Sequence, residues 1–163
     1  MKRRNLLVLA SASSLLAACG FQLRQAPKFA FSSIYIAVDS PVGRELKRSI
    51  ASGDAVTVID KGAITAAQVV LDVVTEQREK VVVGLNASGQ VREFQLRTRF
   101  KFKLRTPQGK ELIPETELLQ QRDISFNESA VLAKEAEEGL MYRDMQTDIV
   151  QQLMRRLAAV KTI

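Results

Sequence analysis

The sequence predicts an α+β domain, a mixed sheet backed by two helices. Three observations predict it. Behind an apolar leader the chain opens strand, helix, strand; residues 67–126 then read as long strands; and a helical pattern of about thirty residues closes the chain. The connections between these segments carry turn residues rather than long low-complexity stretches, so one domain accounts for the whole.

The leader comes first. Lys2-Arg3-Arg4 form a basic tip, and an apolar run from Leu6 to Ala18 follows it, the layout of an export signal. That run is too short to span a bilayer comfortably. It ends in Leu15-Leu16-Ala17-Ala18-Cys19-Gly20, where small residues leave room for a peptidase and the chain's only cysteine stands directly after them. This stretch is similar to a bacterial lipobox. The similarity implies cleavage before Cys19, a diacylglycerol thioether on its sulfur and an acyl group on its new amine. Several acyl chains anchor a protein firmly where one is marginal, each buried methylene contributing roughly 0.8 kcal/mol. The competing reading is an ordinary secretory signal that leaves Cys19 as a free thiol, but an odd cysteine in an exported protein is a liability unless it is used. Gly20 stands where inner-membrane lipoproteins often carry Asp, and by resemblance this favours the outer membrane.

The expected organisation is thus a signal peptide over 1–18, a lipidated tether over 19–30 and a single domain over 31–163. Removing 18 of the 163 residues leaves 145, enough for one sizeable core. Loss of Lys2, Arg3 and Arg4 leaves 21 basic against 18 acidic residues, a charge near +3, so the high isoelectric point carries little argument. With Cys19 acylated there is no thiol for a disulfide, and the chain has no histidine. His-dependent triads, His-ligated metals and the usual zinc sets are therefore excluded. Nucleophile elbows, phosphate-cradling glycine loops and calcium loops are absent from the sequence. The paired acids Glu115/Glu117 and Glu137/Glu138 form no recognisable catalytic pair, since adjacent helix residues diverge. The expectation is a protein without catalytic residues, metal or cofactor.

Ile34-Tyr35-Ile36-Ala37-Val38 is β-branched and aromatic and reads as a buried strand. Asp39-Ser40-Pro41 supplies a capping residue and a proline at a first helical position, with Leu46 and Ile50 one turn apart, so a helix over about 41–52 ending at Gly53 is expected. Val56 to Ile59 is a second short strand, and this alternation permits a parallel pair. Gln68 to Val83 is the first long strand, followed by a turn through Gly84-Leu85-Asn86-Ala87-Ser88-Gly89. In the next strand Phe94, Leu96, Thr98, Phe100, Phe102 and Leu104 alternate with Gln95, Arg97, Arg99, Lys101, Lys103 and Arg105, a period of two held for twelve residues. One face is apolar and the other is a basic row whose neighbouring charges lie roughly 6.6 Å apart.

Two accounts of that row compete. In one it is a solvated face paired with Glu115, Glu117 or Asp123 of the following strand; in the other it meets an anion, either a phosphorylated lipid headgroup or an acidic partner wall. Nucleic acid is a poor fit, because the chain carries an export signal and no aromatic side chains interleave the basic ones on that face. Thr106-Pro107-Gln108-Gly109-Lys110 is a turn. The last strand, about Leu112 to Ser125, contains Pro114, which suits an edge or a bulge. Ser129 is the expected cap of a helix running to about Val160, with a buried stripe of Leu132, Ala136, Leu140, Met145, Ile149, Leu153 and Leu157.

Two stretches carry a family resemblance. Cys19-Gly20-Phe21-Gln22-Leu23-Arg24 at the expected mature terminus, and Leu132-Ala133-Lys134 with its Glu-rich turn followed by Met141 to Met145 and Ile149 to Leu157, resemble the lipopolysaccharide-assembly lipoproteins of the LptE family. The resemblance implies a mixed sheet of four to five strands with both helices on one face, a position as plug inside the LptD outer-membrane barrel, and binding of lipopolysaccharide through basic residues at a hairpin and at the start of the last helix. A barrel lumen is polar, and the basic row, with Arg99, Lys101, Lys103 and Arg105, supplies a polar face for it. Lys134 matches the family's helix position; the alternative for it is an exposed ion pair with Glu138, four residues on. At the hairpin this chain has Ser88 where a basic residue is expected, so Arg92 and Arg97 are the candidates there. The rival function is another lipoprotein binding module of the outer membrane, either a pilotin or a lipid-transport accessory subunit.

Overall fold

The computed structural model describes residues 27–53, 55–59 and 64–163. The expected signal segment, Cys19 and the tether up to residue 26 lie outside the described residues. Among the described residues there are five strands: β1 (Ser33–Ile36), β2 (Thr57–Ile59), β3 (Val69–Leu85), β4 (Val91–Arg105) and β5 (Glu111–Ser125). Two helices, α1 (Pro41–Ala51) and α2 (Val131–Ala159), are joined to them with short 3₁₀ turns at Ile64–Ala66 and Glu128–Ala130. The sheet order is β2-β1-β3-β4-β5. β1 runs parallel to both β2 and β3, while β3, β4 and β5 are antiparallel. The α+β class and the mixed sheet are those the sequence predicts, with β1 inserted between β2 and the long meander.

Local chemistry sets the joints. Ser40 has extended backbone and its Oγ accepts from the Gly43 N–H at 3.1 Å, with Pro41 behind it at the first helical position. The β3–β4 and β4–β5 connections have the same geometry: Asn86 and Thr106 close them by accepting from the glycine N–H three residues on, and those glycines have φ of +79° at Gly89 and +97° at Gly109. The first turn begins at Asn86 rather than at Gly84, because Gly84 and Leu85 remain paired with β4. Pro114 falls where β5 loses register with β4, on an edge strand, as its missing N–H requires.

One irregularity governs everything distal to it. Val73 pairs with Phe102 and Thr75 with Lys101, so Val74 is an extra residue with no partner, a β-bulge. Before the bulge Val69, Leu71 and Val73 point to the helices; after it Glu76, Arg78, Lys80 and Val82 do. Their partners confirm it: Glu76 Oε1 accepts from the α1 Val42 N–H at 3.4 Å, and Arg78 and Lys80 bond to α2 through Gln146 and Glu138.

The core therefore divides. The larger part packs Ile34, Ile36, Val69, Leu71, Phe100, Phe102 and Leu104 of the sheet under Val42, Leu46 and Ile50 of α1 and Ile149, Leu153 and Leu157 of α2. Both helices thus lie on one face, tied to each other by Glu45, which accepts from Gln146 and Thr147. A smaller part joins Leu96, Ile124 and Met145 with Phe94, Met141 and Tyr142 around it. Between them lies a polar layer in which the buried Glu76 Oε2 and Thr98 Oγ1 have no hydrogen-bond partner.

Helix α2 departs from expectation at its start. Asn127, not Ser129, is the capping residue, accepting from the Ser129 N–H and serving the 3₁₀ turn that precedes α2. The stripe from Met145 to Leu157 is buried as predicted, but Leu132 is 82% exposed, Leu140 54% exposed and Ala136 exposed. The sheet beneath this half of the helix presents Arg78 and Lys80, so the helix turns Lys134, Glu138 and Tyr142 towards it instead of leucines. None of the described helices is long and apolar enough to cross a membrane. Leu153→Ala should destabilise the fold by about 2–5 kcal/mol, since it opens a cavity at a fully buried site. Leu132→Ala should stay within about 0.5 kcal/mol. Urea unfolding of the two variants checks both.

Candidate functional site

The open face of the sheet carries the basic row, and most of it is paired. Arg99 donates to Glu117 at 2.6 Å and lies 3.8 Å from Glu79, while Lys101 reaches the other Glu117 oxygen at 3.4 Å. Arg105 meets Asp72 at 2.7 Å. Arg97 donates to Gln95 Oε1 at 2.8 Å, and the Gln95 amide in turn donates to Asp123 at 2.9 Å. Among the described residues Lys103 alone in the row has no side-chain hydrogen bond or ion pair. The paired account of the row is the better one, with an addition: β3 supplies carboxylates as well as β5, and Glu115 takes no part. What results is a polar, nearly charge-balanced surface rather than a single-sign patch.

Cations that face the helices are fewer and more enclosed. Where the start of α2 crosses the far end of the sheet there is a small cleft of about 50 Å³, partly open to solvent, lined by Lys80, Phe94, Ile124, Phe126, Val131 and Lys134, with Glu135 and Glu138 on its helix wall. Phe94 and Phe126 meet edge to face, centroids 5.3 Å apart, and form the apolar floor. The Lys80 ammonium sits 4.4 Å from the Phe94 ring centroid and 2.6 Å from Glu138. Lys134 bonds to Ser125 Oγ at 3.0 Å and to Glu137 at 2.8 Å. Glu137 thus takes the place expected of Glu138, which Lys80 occupies. Further along α2, Tyr142 donates to the Glu79 carbonyl at 2.8 Å beneath the Arg78 guanidinium. Burial foremost, and then the charge of Glu138, push its phenol above its ordinary pKa.

The structure brings only some of the predicted residues together. Lys134 lines this cleft, and Arg92 lines a second one that shares Phe126 and adds Gln90, Val91, Asn127 and Glu128. Arg97 is on the opposite side of the sheet. Ser88 is spent on the turn, its N–H donating to Asn86 Oδ1. Lys80 was not visible as a site residue: in an uninterrupted strand it would share the odd-or-even face of Asp72, and only the Val74 bulge carries it under α2. No signal in the sequence marks it, since Val73-Val74-Thr75 reads as an ordinary β-branched strand. Among the described residues no three acidic or thiol groups gather as for a metal ion.

The ion pairs make the open face acid-sensitive. Arg99, by hydrogen bond first, and Lys101 beside it hold Glu117 below the usual 4.5 of a glutamate. A depressed folded-state value means that the stabilisation is complete above the unfolded-state value and is lost as the pH falls from there through the folded value. Between pH 5 and pH 3 the urea midpoint of the native chain should therefore drop more steeply than that of Glu117→Gln; equal slopes would show that the pair contributes nothing.

Comparison with known proteins completes the site's context. The sequence matches the LptE (lipopolysaccharide-assembly) family over residues 27–157. No curated protein matches it significantly. Among solved structures it is similar to the solution NMR structure of an uncharacterized lipoprotein B from Nitrosomonas europaea, at 34% identity and a TM-score of 0.74, covering 86% of this chain and 91% of that one. In fold it is also similar to the rare lipoprotein B from Shewanella oneidensis (19% identity, TM-score 0.64, 78% of this chain and 95% of that one). A minor lipoprotein from Acinetobacter baumannii shares the fold as well, at 16% identity and a TM-score of 0.63 over 81% of this chain and 94% of that one. A match spanning all five strands and nearly the whole of α2, on a fold shared with lipoproteins, leaves one conclusion: the chain belongs to the LptE family of lipopolysaccharide-assembly proteins.

Proposed function

We propose that this chain is an outer-membrane lipoprotein, acylated at Cys19, that plugs and helps assemble an LptD-like barrel and takes part in inserting lipopolysaccharide into the outer membrane. It works by occupancy and binding, without catalysis. Family membership supports the barrel partner. The open sheet face supports the plug position, because a mosaic of compensated charges suits a polar lumen.

The lipid-binding part rests on one observation: Lys80 and Lys134 converge beside Phe94 and Phe126 in a single cleft. Ammonium groups over an apolar floor match a phosphorylated, acylated lipid, whose phosphate oxygens are strong acceptors and whose chains are apolar. Arg92, in the adjoining cleft, stands in for the hairpin position that Ser88 leaves neutral. Arg97 faces the barrel side and is left out of the lipid site.

Three measurements check this reading. Mass spectrometry of the mature protein should show a terminus at Cys19 carrying diacylglycerol and an additional acyl chain; a free thiol there would remove the anchor. Purified in mild detergent, the lipidated chain should bring with it a large β-barrel subunit; a secretin ring in its place would make the protein a pilotin. Lys134→Glu should weaken lipopolysaccharide binding by at least about tenfold, the loss of a charged hydrogen bond. Arg92→Glu should weaken it less and Arg97→Glu not at all, with circular dichroism unchanged.

A further inference from the structure

The two cleft lysines are not free cations awaiting a ligand. Each is already held by a carboxylate of α2: Lys80 by Glu138 at 2.6 Å and Lys134 by Glu137 at 2.8 Å. These pairs are partly shielded from water, with side-chain exposures of 36% and 21% for Lys80 and Glu138 and of 22% and 43% for Lys134 and Glu137. Glu135 stands on the same wall of the cleft, and among the described residues it has no cation partner. The helix thus places acids in register with the sheet's lysine, three and four residues beyond its own.

We propose that Glu137 and Glu138 are internal competitors for the cleft lysines, so that the site opens only to a ligand carrying phosphate and acyl chain together. This rests on the lipid-binding reading above. A carboxylate offers one negative charge, whereas a phosphate monoester offers nearly two and three acceptor oxygens, enough to engage both ammonium groups at once. Charge alone gains little, because two existing ion pairs must be broken. The apolar floor of Phe94, Phe126, Ile124 and Val131 adds the burial that a phosphorylated, acylated lipid brings and inorganic phosphate lacks. When no ligand is present Glu138, through Lys80 of β3, and Lys134, through Ser125 of β5, fasten the start of α2 to the sheet.

The test measures binding of lipopolysaccharide, of lipopolysaccharide stripped of its lipid phosphates, and of inorganic phosphate to the full chain in nonionic detergent. Native chain should bind the first and neither of the others. Glu137→Gln and Glu138→Gln should each tighten binding of intact lipopolysaccharide by about two- to fivefold, the value of one partly exposed ion pair. Glu135→Gln makes the same charge change on the same wall and should not tighten it, which separates competition from a general gain in positive charge. In a Lys80→Met background Glu138→Gln should have no further effect. Weaker or unchanged binding by Glu138→Gln with helical content retained overturns the proposal. So does tightening that persists without Lys80, or millimolar inorganic phosphate displacing the lipid. If Lys134→Glu binds lipopolysaccharide as well as native chain, the cleft reading itself falls and the competitors with it; if Lys134→Glu weakens binding while neither glutamine variant tightens it, only the competitors fall.

Discussion

A single extra residue in β3 sets the character of the molecule's far half. Val74 has no partner on β4, and inserting it reverses which side chains of β3 face the helices. On the near side of the bulge the helix-facing residues are valine and leucine and build the main core. On the far side they are Glu76, Arg78, Lys80 and Val82, and the helix above must answer charges rather than fill a hydrophobic layer. The cleft, its two lysines and the acids that hold them all follow from that reversal. Without it Lys80 would lie on the open face beside the basic row, and Val81 would lie under α2.

The same reversal explains why α2 is built in two parts. From Met145 onwards it is a core helix, locked by Ile149, Leu153 and Leu157 and by the Glu45 contacts to α1. Before Met145 it is fastened by side-chain hydrogen bonds and ion pairs at the rim of the sheet, and it turns Leu132 and Leu140 outwards. Partly exposed ion pairs contribute about 1 kcal/mol or less each, whereas a buried leucine contributes more. The start of the helix is therefore the segment most responsive to a ligand that competes for those pairs. The larger apolar core resides at one end of the sheet and the enclosed lysines at the other.

Much of this was legible in the residues. Alternation over Phe94 to Arg105 located β4 and both of its faces, because a strand half-buried on one side cannot hide its period. Gly84 to Gly89 and Thr106 to Lys110 marked the hairpins, the first of them two residues too early, and Ser40-Pro41 marked the start of α1, because backbone geometry restricts what turn and cap positions accept. The bulge was not legible, since Val73-Val74 reads as an ordinary pair in a β-branched run. With the bulge unmarked, the sequence assigns Lys80 to no site and places Leu132 and Leu140 in a buried stripe on apolar spacing alone. Spacing says that a helix is amphipathic; it does not say which stretch has an apolar surface to lie on. Lys134 was found through family resemblance, yet its partner, Glu137 rather than Glu138, followed from where Lys80 had gone.

Zero-length carbodiimide cross-linking with peptide mass spectrometry tests the reversal most directly, because it joins a lysine only to a carboxylate in contact with it. The bulged register predicts a link from Lys80 to Glu138 on α2. A link from Lys80 to Glu117 or Asp123, the acids of β5 on the open face, would place Lys80 on the other side of the sheet and contradict the account.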